Sequence, residues 1–298
     1  MIYFLTCSII WGLTWIAIKY QIHAVDPNVA VFYRFALASL ILFSISLLKD
    51  SPLRFNKKRH TLFLGQGLFM FCINYLLTYW ASQMAPSALV ALAFTTLIYF
   101  NMFGAYLFFK TPFNKKVVIG AILSLIGMGF ITLNELNTQS LHPGYILGFL
   151  ISVVATMSAS AGNLISSQNR RFNIPILSNN SWSMLYGAAL SLLFCLVQNR
   201  NFNIQWSSEF VWSFIFLTLF GTVISFGAYL KLIDLVGPTK AAFTSVISPL
   251  IAVTLSHFFE NLPLNSYLIL AIIFCIFGNI VALTPQPLLL RFKSLLSL

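Results

Sequence analysis

Apolar runs, each about as long as a bilayer is thick, follow one another along almost the whole chain. A helix needs about 20 apolar residues to cross the hydrocarbon core, and turn-forming pairs such as Ala85-Pro86 separate the runs. This criterion predicts ten spans, at residues 2–20, 28–48, 61–82, 87–109, 116–133, 144–166, 179–198, 210–230, 239–259 and 266–284. No room remains for a soluble domain, so we predict an all-α polytopic membrane protein.

The composition agrees with lipid as the bulk solvent. Only 8% of the 298 residues are charged and 59% are hydrophobic, whereas a soluble domain carries about 25% charged residues. The net charge is +11, but the basic residues occupy short loops between apolar runs. They form no basic patch interleaved with exposed aromatic residues, so we exclude nucleic-acid binding and expect the lipid bilayer as the main surrounding.

The distribution of the basic residues predicts the orientation. The loop from Lys49 to His60 holds five Lys or Arg, which marks it as cytoplasmic. Counting outward through ten spans brings every other Lys and Arg to the cytoplasmic side, except Lys19 and Arg200 on the opposite side and Arg34 within a span. Both termini are therefore predicted to be cytoplasmic.

One segment of the chain returns with its turn residues but without its charges. Pro112 and Gly127 recur as Pro263 and Gly278, each 151 positions later, while the basic residues beside the first copy are lost. Five spans in each half would insert the second half upside down, so that the same loop faces the other side of the membrane. The chain therefore predicts two inverted repeats, as in secondary transporters.

We place the boundary between the repeats at 137/138, giving halves 1–137 and 138–298. The motifs along both halves resemble the drug/metabolite transporter superfamily, EamA type. The matching residues are Trp11-Gly12, Lys19, Pro27, Arg34, Ala85-Pro86-Ser87-Ala88, Gly237-Pro238, Ser248-Pro249, Glu260 and Gly278. The chain departs from that pattern at Tyr99 and Lys110.

This resemblance implies a carrier of small-molecule solutes in a bacterial inner membrane, without enzymatic activity and without a cofactor. It also implies a cavity lined by the first, third, fourth, sixth, eighth and ninth spans, with the fifth and tenth outside. We expect export of amino acids or similar solutes. Uptake or exchange of nucleotide-like or phosphorylated solutes is the alternative. The resemblance leaves open whether the protein forms a homodimer.

Ionisable residues inside a membrane are costly and are candidates for function. Arg34 lies six residues into its span and either attracts an anionic group or reaches back to the interface. His257 and Glu260 lie one helical turn apart at the end of the ninth span, where they form either a gate or an interfacial pair in water. No Asp or Glu lies at a span centre, which argues for transport down a solute gradient.

Polar stripes at helical spacing are the remaining candidates for a binding site. The alternative is that they pack helices together, and this is the simpler account of Ser and Thr alone. Buried amides need several partners, so they are harder to explain by packing. The candidate solute-binding residues are Trp15, Asn74, Thr78, Tyr79, Tyr99, Asn101, Asn163 and Tyr229.

Other classes of function fit the sequence less well. An intramembrane protease needs a deep Ser and His or two aspartates in spans, and the only span histidine is His257, near an edge. A scaffold does not explain an inverted repeat. The four cysteines are far apart and lie inside apolar runs, so we predict neither a disulfide nor a metal site.

Overall fold

A computed structural model describes residues 1–110, 115–137, 144–236, 241, 244–261 and 264–283. These residues form helices and no strands, which confirms the all-α prediction for this part of the chain. The predicted boundary at residue 138 and the turn at Gly237-Pro238 lie outside the described residues.

The helices follow the apolar runs. We number them α1 (Ile2–Ile22), α2 (Pro27–Leu48), α3 (Lys57–Met84), α4 (Ser87–Phe109), α5 (Lys115–Asn137), α6 (Gly144–Arg171), α7 (Ile176–Val197), α8 (Ser208–Val236), α9 (Thr244–Phe259) and α10 (Ser266–Leu283). Seven helices of the described chain are long and apolar enough to cross a membrane: α1 to α4 and α6 to α8. The apolar stretches of α5, α9 and α10 are shorter. The protein is therefore a polytopic membrane protein.

Two of the long helices contain a π-helical segment near their middle. It covers Gly67–Ile73 in α3 and Phe216–Ile224 in α8. A π segment inserts a wider turn and frees backbone groups from the regular pattern, and such segments frequently adjoin functional sites. In α4 a short 3₁₀ segment, Phe94–Thr96, likewise changes the direction of the side chains that follow it.

Four helix ends share backbone conformation in pairs. Asp50 and Asn199, each two residues beyond the end of α2 or α7, have φ of 49° and 50°. In both turns the next amide donates to the carbonyl five residues back, at 2.9 Å, as in a Schellman motif. Lys110 and Asn261, which follow α4 and α9, have φ of 51° and 53°. The members of this second pair are 151 positions apart, the spacing of the sequence repeat.

The helices α5 and α10 pack mainly on each other, away from the rest of the bundle. Glycines allow a close approach there. A Cβ at Gly127 would lie 2.8 Å from Ala271 O, and one at Gly278 would lie 2.5 Å from Gly120 O. The contacting residue falls in number on α10 as it rises on α5, so the two helices are antiparallel. Gly127 and Gly278 are themselves 151 positions apart, as are Gly120 and Ala271, so the contact is reciprocal.

We predict that Gly278→Ala destabilises the protein, because its Cβ would meet backbone that cannot move aside cheaply. The cost should be about 1–3 kcal/mol, measured as a lower melting temperature of the purified protein. Gly129→Ala is the matched control, since a Cβ there meets nothing within 4 Å. It should leave the melting temperature unchanged or raise it slightly. Equal effects of both substitutions would contradict this account of the crossing.

Candidate functional site

A cavity of about 100 Å³ lies inside the bundle, between seven helices. It is lined by side chains from α1 to α4, α6, α8 and α9: Trp11, Thr14, Trp15, Ile18, Arg34, Met70, Asn74, Tyr75, Thr78, Ala91, Phe94, Leu97, Ala159, Asn163, Phe226, Tyr229, Thr244, Ser245, Ser248 and Pro249. Among the described residues, none of α5 or α10 belongs to this lining, and Arg34 is its one charged side chain.

The Arg34 guanidinium is buried, with 1% of the residue exposed. Its Nε donates a hydrogen bond to Thr222 Oγ1 at 2.7 Å, and Nη1 donates to Tyr79 Oη at 3.4 Å. The guanidinium carbon lies 4.9 Å from the centroid of the Tyr75 ring, a cation–π contact that contributes about 0.5–2 kcal/mol. The π segment of α8 contains Thr222, so this distortion supplies the main acceptor for the cation.

No carboxylate among the described side chains lies within 4.0 Å of Arg34. These acidic residues are placed elsewhere: Asp26 pairs with Arg200, Asp234 with Arg170 and Glu260 with Lys19, while Asp50 and Glu209 are exposed. The cavity wall formed by the described residues is therefore cationic without an acidic partner. In hydrocarbon such a charge is costly, so this is the most unusual electrostatic feature of the molecule.

The amide and hydroxyl groups of the cavity are satisfied mainly within their own helices. Asn74 follows the π segment of α3 directly, and its Nδ2 donates to Met70 O at 3.2 Å. Thr78 Oγ1 donates to Asn74 O at 2.8 Å. Asn163 Nδ2 on α6 donates to Asn101 Oδ1 on α4 at 3.4 Å. Asn74 Oδ1 lies 3.5 Å from Thr78 Oγ1. An amide oxygen can accept two hydrogen bonds, so it can still accept one from a solute.

Aromatic side chains form another part of the wall. Trp11 Nε1 donates to Gly221 O at 3.2 Å, and Trp15 Nε1 donates to Ser248 Oγ at 3.1 Å. The Trp11 ring packs on those of Phe226 and Tyr229, with centroids 5.4 and 4.8 Å away. The indole hydrogen bonds thus fix α1 against α8 and α9, and they hold flat apolar faces beside the cavity.

The structure brings several of the sequence-predicted residues together. Trp15, Asn74, Thr78, Asn163 and Tyr229 line the same cavity, and the structure adds Arg34. Their contribution to binding a solute remains a prediction.

Tyr79 and Asn101 are not among the residues that line the cavity, but each contacts one that is. Tyr79 Oη donates to Gln21 Oε1 at 2.5 Å and contacts Arg34. Asn101 contacts the lining residue Asn163. Tyr99 was predicted to wall the cavity, but it lies elsewhere: its hydroxyl binds Gly120 O on α5 at 2.9 Å. The 3₁₀ segment just before Tyr99 turns its side chain toward α5.

The helix α6 extends beyond the predicted end of the sixth span at residue 166 and continues to Arg171. Asn163 therefore lies eight residues, or about 12 Å, inside the end of the helix, and it lines the cavity.

Sequence reasoning missed the hydroxyl groups at the start of α9. Thr244, Ser245 and Ser248 line the cavity, although the candidate functional residues of this span were only His257 and Glu260, at its far end. Ser248 precedes Pro249, which lies inside α9 and leaves one helical carbonyl without its usual amide partner. A Ser-Pro pair within an apolar run was the signal that pointed to this position.

A polar cluster ties four helices together at one end of the bundle. Lys19 Nζ donates to Ala85 O at 2.8 Å and lies 3.4 Å from Glu260 Oε1. Glu260 Oε2 accepts from the Ser87 amide at 2.9 Å and from the Ser256 hydroxyl. We call this the Lys19 cluster. His257, also predicted as a gate residue, is half-buried and packs its ring against Phe258.

The opposite end of the bundle carries a related arrangement. Arg170 lies 151 positions after Lys19 and binds Asp234 through Nη2 and Nε, at 2.7 and 3.0 Å. The neighbouring Arg171 lies 4.1 Å from the centroid of the Phe109 ring at the end of α4. We call this the Arg170 cluster. Each end of the bundle thus carries a basic residue, at the end of α1 or of α6, that binds an acidic residue on another part of the chain.

Comparison with known proteins agrees with this geometry. The model of the EamA-like transporter family matches residues 1–133 and 146–284. The chain belongs to the EamA-like transporter family. It is therefore a membrane transporter, which confirms the family predicted from the sequence motifs.

Relatives of known sequence cover most of the chain. The uncharacterized transporter YoaV of Bacillus subtilis is 24% identical over 92% of this chain and 91% of its own length. The uncharacterized inner membrane transporter YedA of Escherichia coli is 25% identical over 83% and 78%. A probable amino-acid metabolite efflux pump of Salmonella typhimurium is 23% identical over 82% and 81%. A solved crystal structure with 19% identity superposes with a TM-score of 0.70 over 94% of this chain and 96% of the other, so the two share a fold.

We predict that Lys19 and Glu260 are energetically coupled. Lys19→Met and Glu260→Gln should each lower the melting temperature, because each leaves a largely buried charge without its partner. The double variant should lose less than the sum, with a coupling of about 1–2 kcal/mol. The more exposed pair Asp26–Arg200 is the matched comparison and should couple by less than about 1 kcal/mol. Additive effects at Lys19 and Glu260 would show that the cluster is not a unit.

Proposed function

We propose that this protein carries small metabolites out of the bacterial cell, with amino acids or related solutes as its cargo, by alternating access to the cavity. The observation that carries the proposal is the polar and aromatic cavity enclosed between helices of both halves. The relative named as a probable amino-acid metabolite efflux pump supports the direction and the class of solute. The relative named as an inner membrane transporter supports the location.

The proposed mechanism requires two inverted halves, 1–137 and 138–298, of five spans each. Three backbone features support this arrangement. Left-handed residues follow α2 and α7 and likewise α4 and α9, π segments occur in both α3 and α8, and α5 meets α10 in an antiparallel, reciprocal contact. A reciprocal contact between antiparallel helices is what a two-fold axis perpendicular to them would produce. Such an axis would lie in the plane of the membrane.

In this proposal the cavity opens to one side at a time. The Lys19 cluster joins α1, α3, α4 and α9, and the Arg170 cluster joins α6 with α8 and α4. Opening toward either side has to break one of these clusters while the other persists. In this structure both clusters are formed.

The charge distribution predicts both termini and the basic loops on the cytoplasmic side. Reporter fusions after Arg59, Lys116 and Arg171 should therefore read cytoplasmic, and fusions near Asn137 and Asn201 should read exported. A cytoplasmic signal at Asn137 would contradict the inverted arrangement, since it would leave the fifth span uncrossed.

Polar residues in the cavity should be needed for flux. We predict that Asn74→Leu and Tyr79→Ala lower the loss of labelled amino acids from preloaded cells at least several-fold. The first removes an amide from the lining, and the second removes a partner of Arg34. Flux is normalised to the amount of protein in the membrane.

Cys72→Ala is the matched control for this experiment. Cys72 is buried on the same helix as Asn74 but does not line the cavity, so its substitution should change flux little. Normal flux in Asn74→Leu would mean that the polar stripe of α3 packs helices instead of binding solute.

A further inference from the structure

The cavity contains a cation and, within the described residues, no acid to neutralise it. We propose that the solute carries a carboxylate that binds Arg34 and an apolar body that packs against the aromatic wall. This inference rests on the proposed carrier function and narrows its cargo, within amino acids and related solutes, to the related solutes that lack an ammonium group: small organic monoanions with an apolar part.

The charge of Arg34 is buried among neutral groups. Arg34 is 1% exposed, and its described hydrogen-bond partners, Thr222 and Tyr79, are neutral hydroxyls. Hydroxyls and the Tyr75 ring offset only part of the cost of removing a guanidinium from water. A bound anion would neutralise the charge, so the cavity should bind negative solutes more tightly than neutral ones.

Arg34 has N–H groups left that can donate to such an anion. A guanidinium has five N–H groups in a fixed fork, and the hydrogen bonds to Thr222 and Tyr79 use only Nε and one position on Nη1. The side chain lines the cavity. A carboxylate accepts two parallel N–H bonds from this fork, a geometry that a neutral amide cannot reproduce.

The described lining disfavours two other classes of solute. An ammonium group of the solute would meet no carboxylate among the described lining residues, and it would be repelled by Arg34. A phosphate ester, with nearly two charges, would find one cation among the described lining residues where it needs more. Trp11, Trp15 and Phe226 offer apolar faces instead, which favour an aliphatic or aromatic body on the solute.

The test uses three probes with one body and different head groups: 3-phenylpropanoate, 3-phenylpropanamide and 3-phenylpropylamine. Binding to the purified full-length protein in lipid nanodiscs is measured by calorimetry. We expect the acid to bind at least about tenfold more tightly than the amide, and the amine more weakly still. Equal binding of acid and amide, tighter binding of the amine, or no binding of the acid would overturn the proposal.

Variants assign the effect to the guanidinium. Arg34→Gln should abolish the preference for the acid over the amide, and Arg34→Lys should retain part of it, because a charge remains without the fork. Arg200→Gln is the matched control, since that arginine is outside the cavity and paired with Asp26, and it should bind as wild type does. If Arg34→Gln fails to fold, the three probes on the wild-type protein still test whether the site prefers the carboxylate.

Flux separates this inference from the function on which it rests. If the protein transports a neutral or cationic solute but neither binds nor transports the acid, the carrier function stands and the proposed role of Arg34 is overturned. Binding of the acid without flux of any solute would support the site and count against the carrier function.

Discussion

Hydrocarbon offers a polar group no water to bond with, and this constraint decides where the chain can keep its polar side chains. Arg34 shows the consequence most clearly. Its position within the bundle depends on a hydroxyl from the distorted turn of α8, a phenol from α3 and the close approach of Gly221, where a Cβ would lie 3.2 Å from Arg34 Nη2. The cation therefore holds α2, α3 and α8 in one arrangement, and the cavity takes its shape from that arrangement.

The two halves of the chain share backbone features more closely than side chains. Asp50 and Asn199 end their helices in the same way, 149 positions apart. At the same spacing, however, the counterpart of Arg34 is Ser183. In the proposed arrangement of two inverted halves the backbone would be nearly symmetric while the charge is not, because Arg34 is the one charged residue among the described residues that line the cavity. This asymmetry would let two similar halves rock about a site that recognises only one end of a solute.

The sequence predicts the helices well because span length and turn residues follow from the thickness of the bilayer. It predicts helix ends less well, since α6 continues through Asn169 and Arg170, which an apolar criterion excludes. The stripes of polar residues pointed to Asn74, Thr78 and Asn163, which line the cavity. Tyr99 binds α5 and is not among the residues that line the cavity. A 3₁₀ turn, which shifts the helical phase, precedes it, and no pattern in the sequence marked that turn. The acceptor of Arg34 lies 188 residues away, beyond the reach of any local pattern.

The central claim is that the cavity is reached from both sides of the membrane, one side at a time. Ala159 lines the cavity and is small, so a single cysteine at that position, with the four native cysteines replaced by alanine, reports access. The account predicts that an impermeant thiol reagent labels Ala159→Cys from either face of oriented vesicles. It also predicts that stabilising the Lys19 cluster by a cross-link between α1 and α9 leaves labelling from the opposite face only. Labelling from both faces in the cross-linked protein, or from one face alone in the free protein, would contradict alternating access.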